Sequence, residues 1–260
     1  MKFITSDNVQ LTYTDEGEGQ PIVILTGIGG HKLIWKNQVN FLLDHHYRVI
    51  NVDARNQGIS QRTFKGQRIF KHAQDIHELM TDLNLQDPVL MGNSMGAATF
   101  LAYFALYGDQ HVKAFIDVDQ SPKMLQDQEW AFGFKNLAWD NFPYLIKNDF
   151  GKATFHEIDA TLYQEIKLLN EQYPYHSDQN QSFLEDHATQ DWRDVIVQLK
   201  IPYLIIAGKQ SPYFDYHFAE VVANFNSHGQ FKVIENAGHI VMAEQPEKFN
   251  EVLHNFLLTL

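Results

Sequence analysis

Leu90-Met91-Gly92-Asn93-Ser94-Met95-Gly96 is the stretch on which the fold turns. A short apolar run, Pro88 to Gly92, leads into it, and a helical pattern from Ala97 to Tyr107 follows. Gly-x-Ser-x-Gly between a strand and a helix is the pattern of a sharp turn that exposes a serine hydroxyl at the edge of a sheet. The backbone of such a turn is strained, so the residues two places to either side must be nearly free of side chain. The hydroxyl then stands at a helix N-terminus, where the dipole favours developing negative charge. A Ser-Gly loop that merely caps a helix is the plainer alternative; the strand before and the helix after favour the turn.

Outward from this turn, short apolar runs alternate with helical patterns. Val9 to Asp15 alternates apolar and polar residues, as a half-buried strand does. Pro21 to Thr26, Tyr47 to Asp53, Val112 to Asp119, Tyr203 to Ala207 and Phe231 to Glu235 are short and apolar, which suits parallel strands buried on both faces. Between them, Ala73, Ile76, Leu79, Met80 and Leu83 recur at helical spacing, as do Phe249, Val252, Leu253, Phe256 and Leu257 near the end. Strand–helix alternation of this kind predicts an α/β fold around a parallel sheet. Residues 122–200 break it: they are rich in aromatics (Trp130, Phe132, Phe134, Trp139, Phe142, Tyr144) and predict several helices with no strand, the longest from Thr154 to Tyr173. A helical lid inserted into a core made of residues 1–121 and 201–260 fits better than a second domain.

Composition narrows the function. Among 260 residues, Lys and Arg total 20 against 32 Asp and Glu, a net charge of −12 that argues against nucleic acid or an anionic membrane as partner. Hydrophobic residues make up 44%, which excludes a disordered chain. The absence of cysteine excludes a disulfide scaffold, a thiol nucleophile and a Cys-ligated zinc. No apolar run has the length of a membrane span or a signal-peptide core, so a cytoplasmic protein is expected.

A serine hydroxyl needs a base, itself held by a third group. Of 13 histidines, His239 in Asn236-Ala237-Gly238-His239 lies directly after the last strand run, at the sheet edge where Ser94 is expected. The other histidines read as structural, and no His-Glu-x-x-His occurs, so no metal site is expected. The loop Thr26-Gly27-Ile28-Gly29-Gly30 has two readings. As a dinucleotide fingerprint, with Asp53 on the ribose, it fails at the third glycine, where Lys32 stands. As an oxyanion loop, it supplies the Ile28 N–H, with that of Met95 as the second donor.

Together these features resemble the α/β-hydrolase superfamily, in its lidded esterase and haloperoxidase-like branch. The resemblance rests on the glycine loop, on Asp53-Ala54-Arg55-Asn56-Gln57-Gly58-Ile59-Ser60 with Asn56 in place of one family glycine, on the serine turn and on Ala237-Gly238-His239. It implies an eight-stranded sheet with a cap inserted after the sixth strand, and no cofactor. The chain departs from the family at Thr26-Gly27, usually His-Gly, and at Asn93, often histidine. It departs again at Gly208-Lys209-Gln210-Ser211-Pro212, where most relatives carry the acid of the triad and this chain has serine. Some relatives place the acid at the end of the sixth strand instead, which here implies Asp119. Strand alternation puts Asp117 and Asp119 on one side, with Asp119 at the carboxyl edge; Asp215 is the second choice.

The function expected is a serine hydrolase, foremost a carboxylesterase on a small or medium ester. Ser94, His239 and Asp119 do the chemistry, the Ile28 and Met95 amides hold the oxyanion, and Trp139 and Phe142 line the pocket. A perhydrolase, a carbon–carbon bond hydrolase or a ligand-binding member of the fold would use the same constellation.

Overall fold

The computed structural model describes residues 1–147 and 149–260. Strands form at β1 (Lys2–Ile4), β2 (Gln10–Glu16), β3 (Pro21–Leu25), β4 (Arg48–Asp53), β5 (Val89–Asn93), β6 (Ala114–Val118), β7 (Tyr203–Gly208) and β8 (Gly229–Ile234). Helices are α1 (Lys36–Asp44), α2 (Ile69–Asp82), α3 (Met95–Tyr107), α4 (Ala160–Gln172), α5 (Ser177–Ala188), α6 (Arg193–Gln198), α7 (Phe218–Ala223), α8 (Val241–Glu244) and α9 (Pro246–Leu257). The strands make one sheet in the order β1-β2-β4-β3-β5-β6-β7-β8. It is parallel from β4 to β8, and β1 and β2 run antiparallel at one edge.

Side-chain alternation feeds two cores. In β3, Ile22 and Ile24 join the cluster that packs Trp35, Leu42, Phe249 and Leu253 from α1, α9 and the turn before α1. Val23 and Leu25 join the opposite cluster, with Ile76 and Leu79 of α2 and Phe100 and Leu101 of α3. This is the period of two expected of strands buried on both faces. Helix α3 is apolar all round and buried through its first ten residues, from Met95 to Phe104.

The chain leaves β3 toward β4 on one side, then returns across the sheet to β5 on the other. Loops after β3 and β5 therefore part at the carboxyl edge and open a crevice, the usual ligand position in such sheets.

Two strands differ from expectation. β1 has three mostly exposed residues and no apolar pattern to announce it. β8 forms the far edge of the sheet, with Phe231 left 37% exposed rather than buried on both faces. The stretch after β6 also differs. Its aromatic half is built of turns, two isolated bridges (Lys123 with Asp191, Asp127 with Trp130) and a short 3-10 turn at Tyr144–Lys147. Pro122, Gly133, Pro143 and Gly151 interrupt any longer helix there. The helix expected from Thr154 begins only at Ala160, where the Asp159 carboxylate caps the Leu162 N–H at 2.8 Å. Among the described residues no helix is long and apolar enough to cross a membrane.

Candidate active site

Ser94 joins β5 to α3 with φ 55° and ψ −128°, a strained conformation for a residue with a side chain. The glycines around it follow from contact. A Cβ on Gly92 would lie 2.4 Å from the Ala97 nitrogen, and one on Gly96 would lie 2.6 Å from the Leu25 carbonyl oxygen. Both obstacles are backbone, so neither residue can carry a side chain without moving the turn.

His239 lies in the loop between β8 and α8, and Asp119 directly follows β6 with φ 55°. Their side chains meet: His239 Nδ1 is 2.7 Å from Asp119 Oδ2. The carboxylate also accepts the Gly208 N–H on Oδ1 at 3.0 Å and the Ser211 hydroxyl on Oδ2 at 2.6 Å. Serine at the family's usual acid position thus serves as a donor to the acid on the neighbouring strand. Asp119 is fully buried and His239 is 5% exposed. Asp215, the alternative, is more than half exposed and pairs with His217 at 2.6 Å, away from His239. Ser94 and His239 line one cavity, and no hydrogen bond joins the serine hydroxyl to the ring in this structure. Such bonds are commonly loose before substrate binds.

Two supports leave almost no trace in the sequence. Asn93 Nδ2 donates to the carbonyls of Val118 (2.9 Å) and His239 (3.1 Å), tying the serine turn to both partner segments. The buried Glu244 carboxylate accepts the Gly238 and Ile240 N–H groups on either side of His239, at 2.8 and 3.1 Å. The same carboxylate accepts those of Phe155 and His156, both at 2.8 Å, so the histidine loop is clasped to the segment before α4. Only the short spacing of Glu244 from His239 hints at this. Asp117, behind Asp119, is sealed from water, and burial raises its carboxyl well above the usual range.

Gly27 brings the first loop against the serine: a Cβ there would lie 2.9 Å from Ser94 Cβ. No protein acceptor takes the Ile28 or Met95 N–H among the described residues. Asp53 is not free for a ribose. It accepts the Lys32 N–H and ammonium at 2.7 and 2.5 Å and the Ile59 N–H at 3.2 Å. The Asp53–Ser60 motif is therefore a brace for the loop. Asn56 takes φ 66° where the family has glycine, a conformation asparagine tolerates.

The cavity above Ser94 holds about 230 Å³. Its aromatic wall is Phe134, Phe150, Tyr213 and Phe214. Trp139 and Phe142, expected to line it, do not. Trp139 is 63% exposed, with its ring edge-on to Phe142 at 5.6 Å, and Phe142 packs half-buried on the core. The turns of this segment point aromatics inward and outward with no helical period, so the sequence does not say which ring faces Ser94. His31 and His187, which the sequence reads as structural, do line the cavity. Burial lowers the pKa of both, that of His187 to about 4. Among the described residues no group of His, Asp or Glu could hold a metal ion.

This arrangement defines a class. The family model for the alpha/beta hydrolase fold matches residues 20–246, and the chain belongs to that family of hydrolases. The esterase EaEST from Exiguobacterium antarcticum superposes with a TM-score of 0.85 at 26% identity, over 98% of each chain. The AB hydrolase superfamily protein YisY of Bacillus subtilis is 26% identical over 262 residues, 97% of each chain. A non-heme haloperoxidase of Rhodococcus erythropolis is 32% identical over 144 residues, 55% of this chain and 53% of that one.

Proposed function

We propose that the protein is a serine carboxylesterase acting on small or medium esters through an acyl-enzyme. One observation carries the reading: the strained Ser94 and the His239–Asp119 pair open on the same small, mostly apolar cavity. Ser94 Oγ attacks the ester carbonyl as His239 Nε2 takes its proton. The Ile28 and Met95 amides receive the oxyanion, and the C–O bond breaks as His239 returns the proton to the leaving alcohol. Water repeats the sequence to release the acid. Asp119 holds the ring so that Nε2 faces Ser94, and it stabilises the imidazolium. Residues 122–200 act as the cap that excludes bulk water.

The size of the cavity, at the small end for ligand sites, supports a short acyl or alcohol group. None of the described residues that line it is Lys, Arg, Asp or Glu. Burying an unpaired carboxylate is costly, which favours neutral esters over anionic ones. The haloperoxidase relative favours one second reading, in which hydrogen peroxide replaces water on the acyl-enzyme and leaves as a peracid.

A panel of neutral p-nitrophenyl esters from acetate to decanoate tests the proposal. The expected result is turnover that peaks at short to medium chains and falls by about 10⁴-fold or more in kcat for Ser94→Ala. Near-normal turnover by that variant would overturn it. Faster acyl transfer to peroxide than to water would favour the second reading.

A further inference from the structure

His239 is held by its backbone as well as by Asp119. Its N–H donates to the Ala153 carbonyl at 2.9 Å, and its own carbonyl accepts Asn93 Nδ2 at 3.1 Å. Ala153 and Thr154 line the cavity and belong to the cap segment that runs into α4, so the histidine loop and the cavity wall share one seam. A Cβ on Gly238 would lie 2.5 Å from the Phe155 nitrogen and 2.8 Å from the Ala153 oxygen, so the seam closes backbone against backbone. Glu244, 4% exposed at the end of α8, sits across it. Its Oε1 accepts the Ile240 N–H, and its Oε2 accepts those of Gly238, Phe155 and His156. A residue that merely caps the turn of α8 would need only the first of these bonds. The other three converge on one oxygen from both sides of the seam, an arrangement that a full charge satisfies better than a neutral group does.

We propose that Glu244 is a positioning residue for the esterase chemistry: it holds the His239 loop and the cap segment at residues 153–156 as one unit, and that unit keeps the imidazole between Asp119 and Ser94. This deepens the esterase reading, and its kinetic test rests on that reading. Glu244 is not among the described residues that line the cavity, and it acts on His239 through the peptide groups on either side. A misplacement of about 1 Å can cost about a hundredfold in rate, so the effect of the clamp falls on kcat. Glu244→Gln keeps the reach of the side chain, but an amide has only one acceptor oxygen. Set in the place of Oε2, that oxygen leaves the NH2 group facing the Ile240 N–H; set in the place of Oε1, it leaves the NH2 group facing the other three. Either way a donor meets a donor in a buried site beside His239.

The test has three readouts. In folded Glu244→Gln, kcat on a short p-nitrophenyl ester should fall by about ten- to a hundredfold while KM stays within about threefold of the wild type. The downfield proton resonance of His239 Nδ1–H, identified by its absence from His239→Gln, should be sharp in the wild type and broadened or lost in Glu244→Gln. A loss of stability alone leaves that resonance in place in the folded molecules. Amide exchange of the wild type carries the test if Glu244→Gln does not fold: the N–H groups of Phe155 and His156, on an exposed segment, should be protected and exchange together with those of Gly238 and Ile240. A folded Glu244→Gln with kcat within about twofold of the wild type would overturn the inference. So would an unchanged resonance in that variant, or Phe155 and His156 amides that exchange freely in the wild type. No turnover of any ester by the wild type would remove the esterase reading, while the resonance and the exchange would still decide whether Glu244 holds His239.

Discussion

Moving the acid from one strand to the next probes how His239 is held. Ser211 Oγ and His239 Nδ1 approach the same oxygen, Asp119 Oδ2, at 2.6 and 2.7 Å. Asp119→Asn keeps the shape and removes the charge. Its expected cost is about 10³ to 10⁴ in kcat, or about 4 to 5.5 kcal/mol of barrier. Ser211→Asp alone sets two carboxylates side by side. At about 4 Å and an effective dielectric near 20 their repulsion is about 4 kcal/mol, so one takes up a proton and both activity and stability should fall. The double variant Asp119→Asn/Ser211→Asp removes the repulsion and restores a charge beside the imidazole. It should recover about ten- to a hundredfold over Asp119→Asn, since a displaced carboxylate stabilises the imidazolium without ideal geometry. The assay is steady-state kcat on a short p-nitrophenyl ester, with a melting curve for each variant. The reasoning is refuted if Asp119→Asn stays within about tenfold of wild type, if Asp215→Asn is more damaging, or if the folded double variant gains nothing over Asp119→Asn.

Gly27→Ala places a Cβ 2.9 Å from Ser94 Cβ, so kcat should fall by about tenfold or more with little loss of melting temperature; unchanged kinetics would remove the first loop from the site. His187 is buried and neutral, with its pKa lowered by burial from the ordinary 6.5 to about 4. Between those values the unfolded chain binds the proton and the folded one does not, so stability rises with pH from about 4 to 6.5. The contribution is about 3 kcal/mol, and denaturant titrations of wild type and His187→Phe should show a shallower pH dependence in the variant. Trp139→Ala, at an exposed ring, should leave the ester chain-length profile unchanged; a shifted profile would return that ring to the pocket.

The parts of the fold written into short-range constraints are legible in the sequence. The glycines at 92 and 96 are forced by backbone contacts, and the apolar runs of β3 to β7 by burial on both faces. His239 and Asp119 are legible because both follow strands that end at the same edge of the sheet. β1 is invisible because three mostly exposed residues carry no pattern. The sequence misplaces the pocket rings because the 122–159 stretch is held by tertiary contacts, such as Lys135 Nζ on the Phe150 carbonyl at 2.6 Å, and not by a repeating period. Glu244 and Ser211 act through partners distant in sequence: Glu244 holds Phe155 and His156, and Ser211 holds Asp119. A single chain gives no local sign of such pairings.

The most direct test of Ser94 as nucleophile is to trap the acyl-enzyme. The protein is mixed with a p-nitrophenyl ester, quenched in acid within milliseconds, digested, and its peptides weighed. The expected result is a burst of p-nitrophenol and one acyl group on the peptide that contains Ser94, absent in Ser94→Ala. An acyl group found only on another residue, or steady turnover that persists in Ser94→Ala, would contradict it.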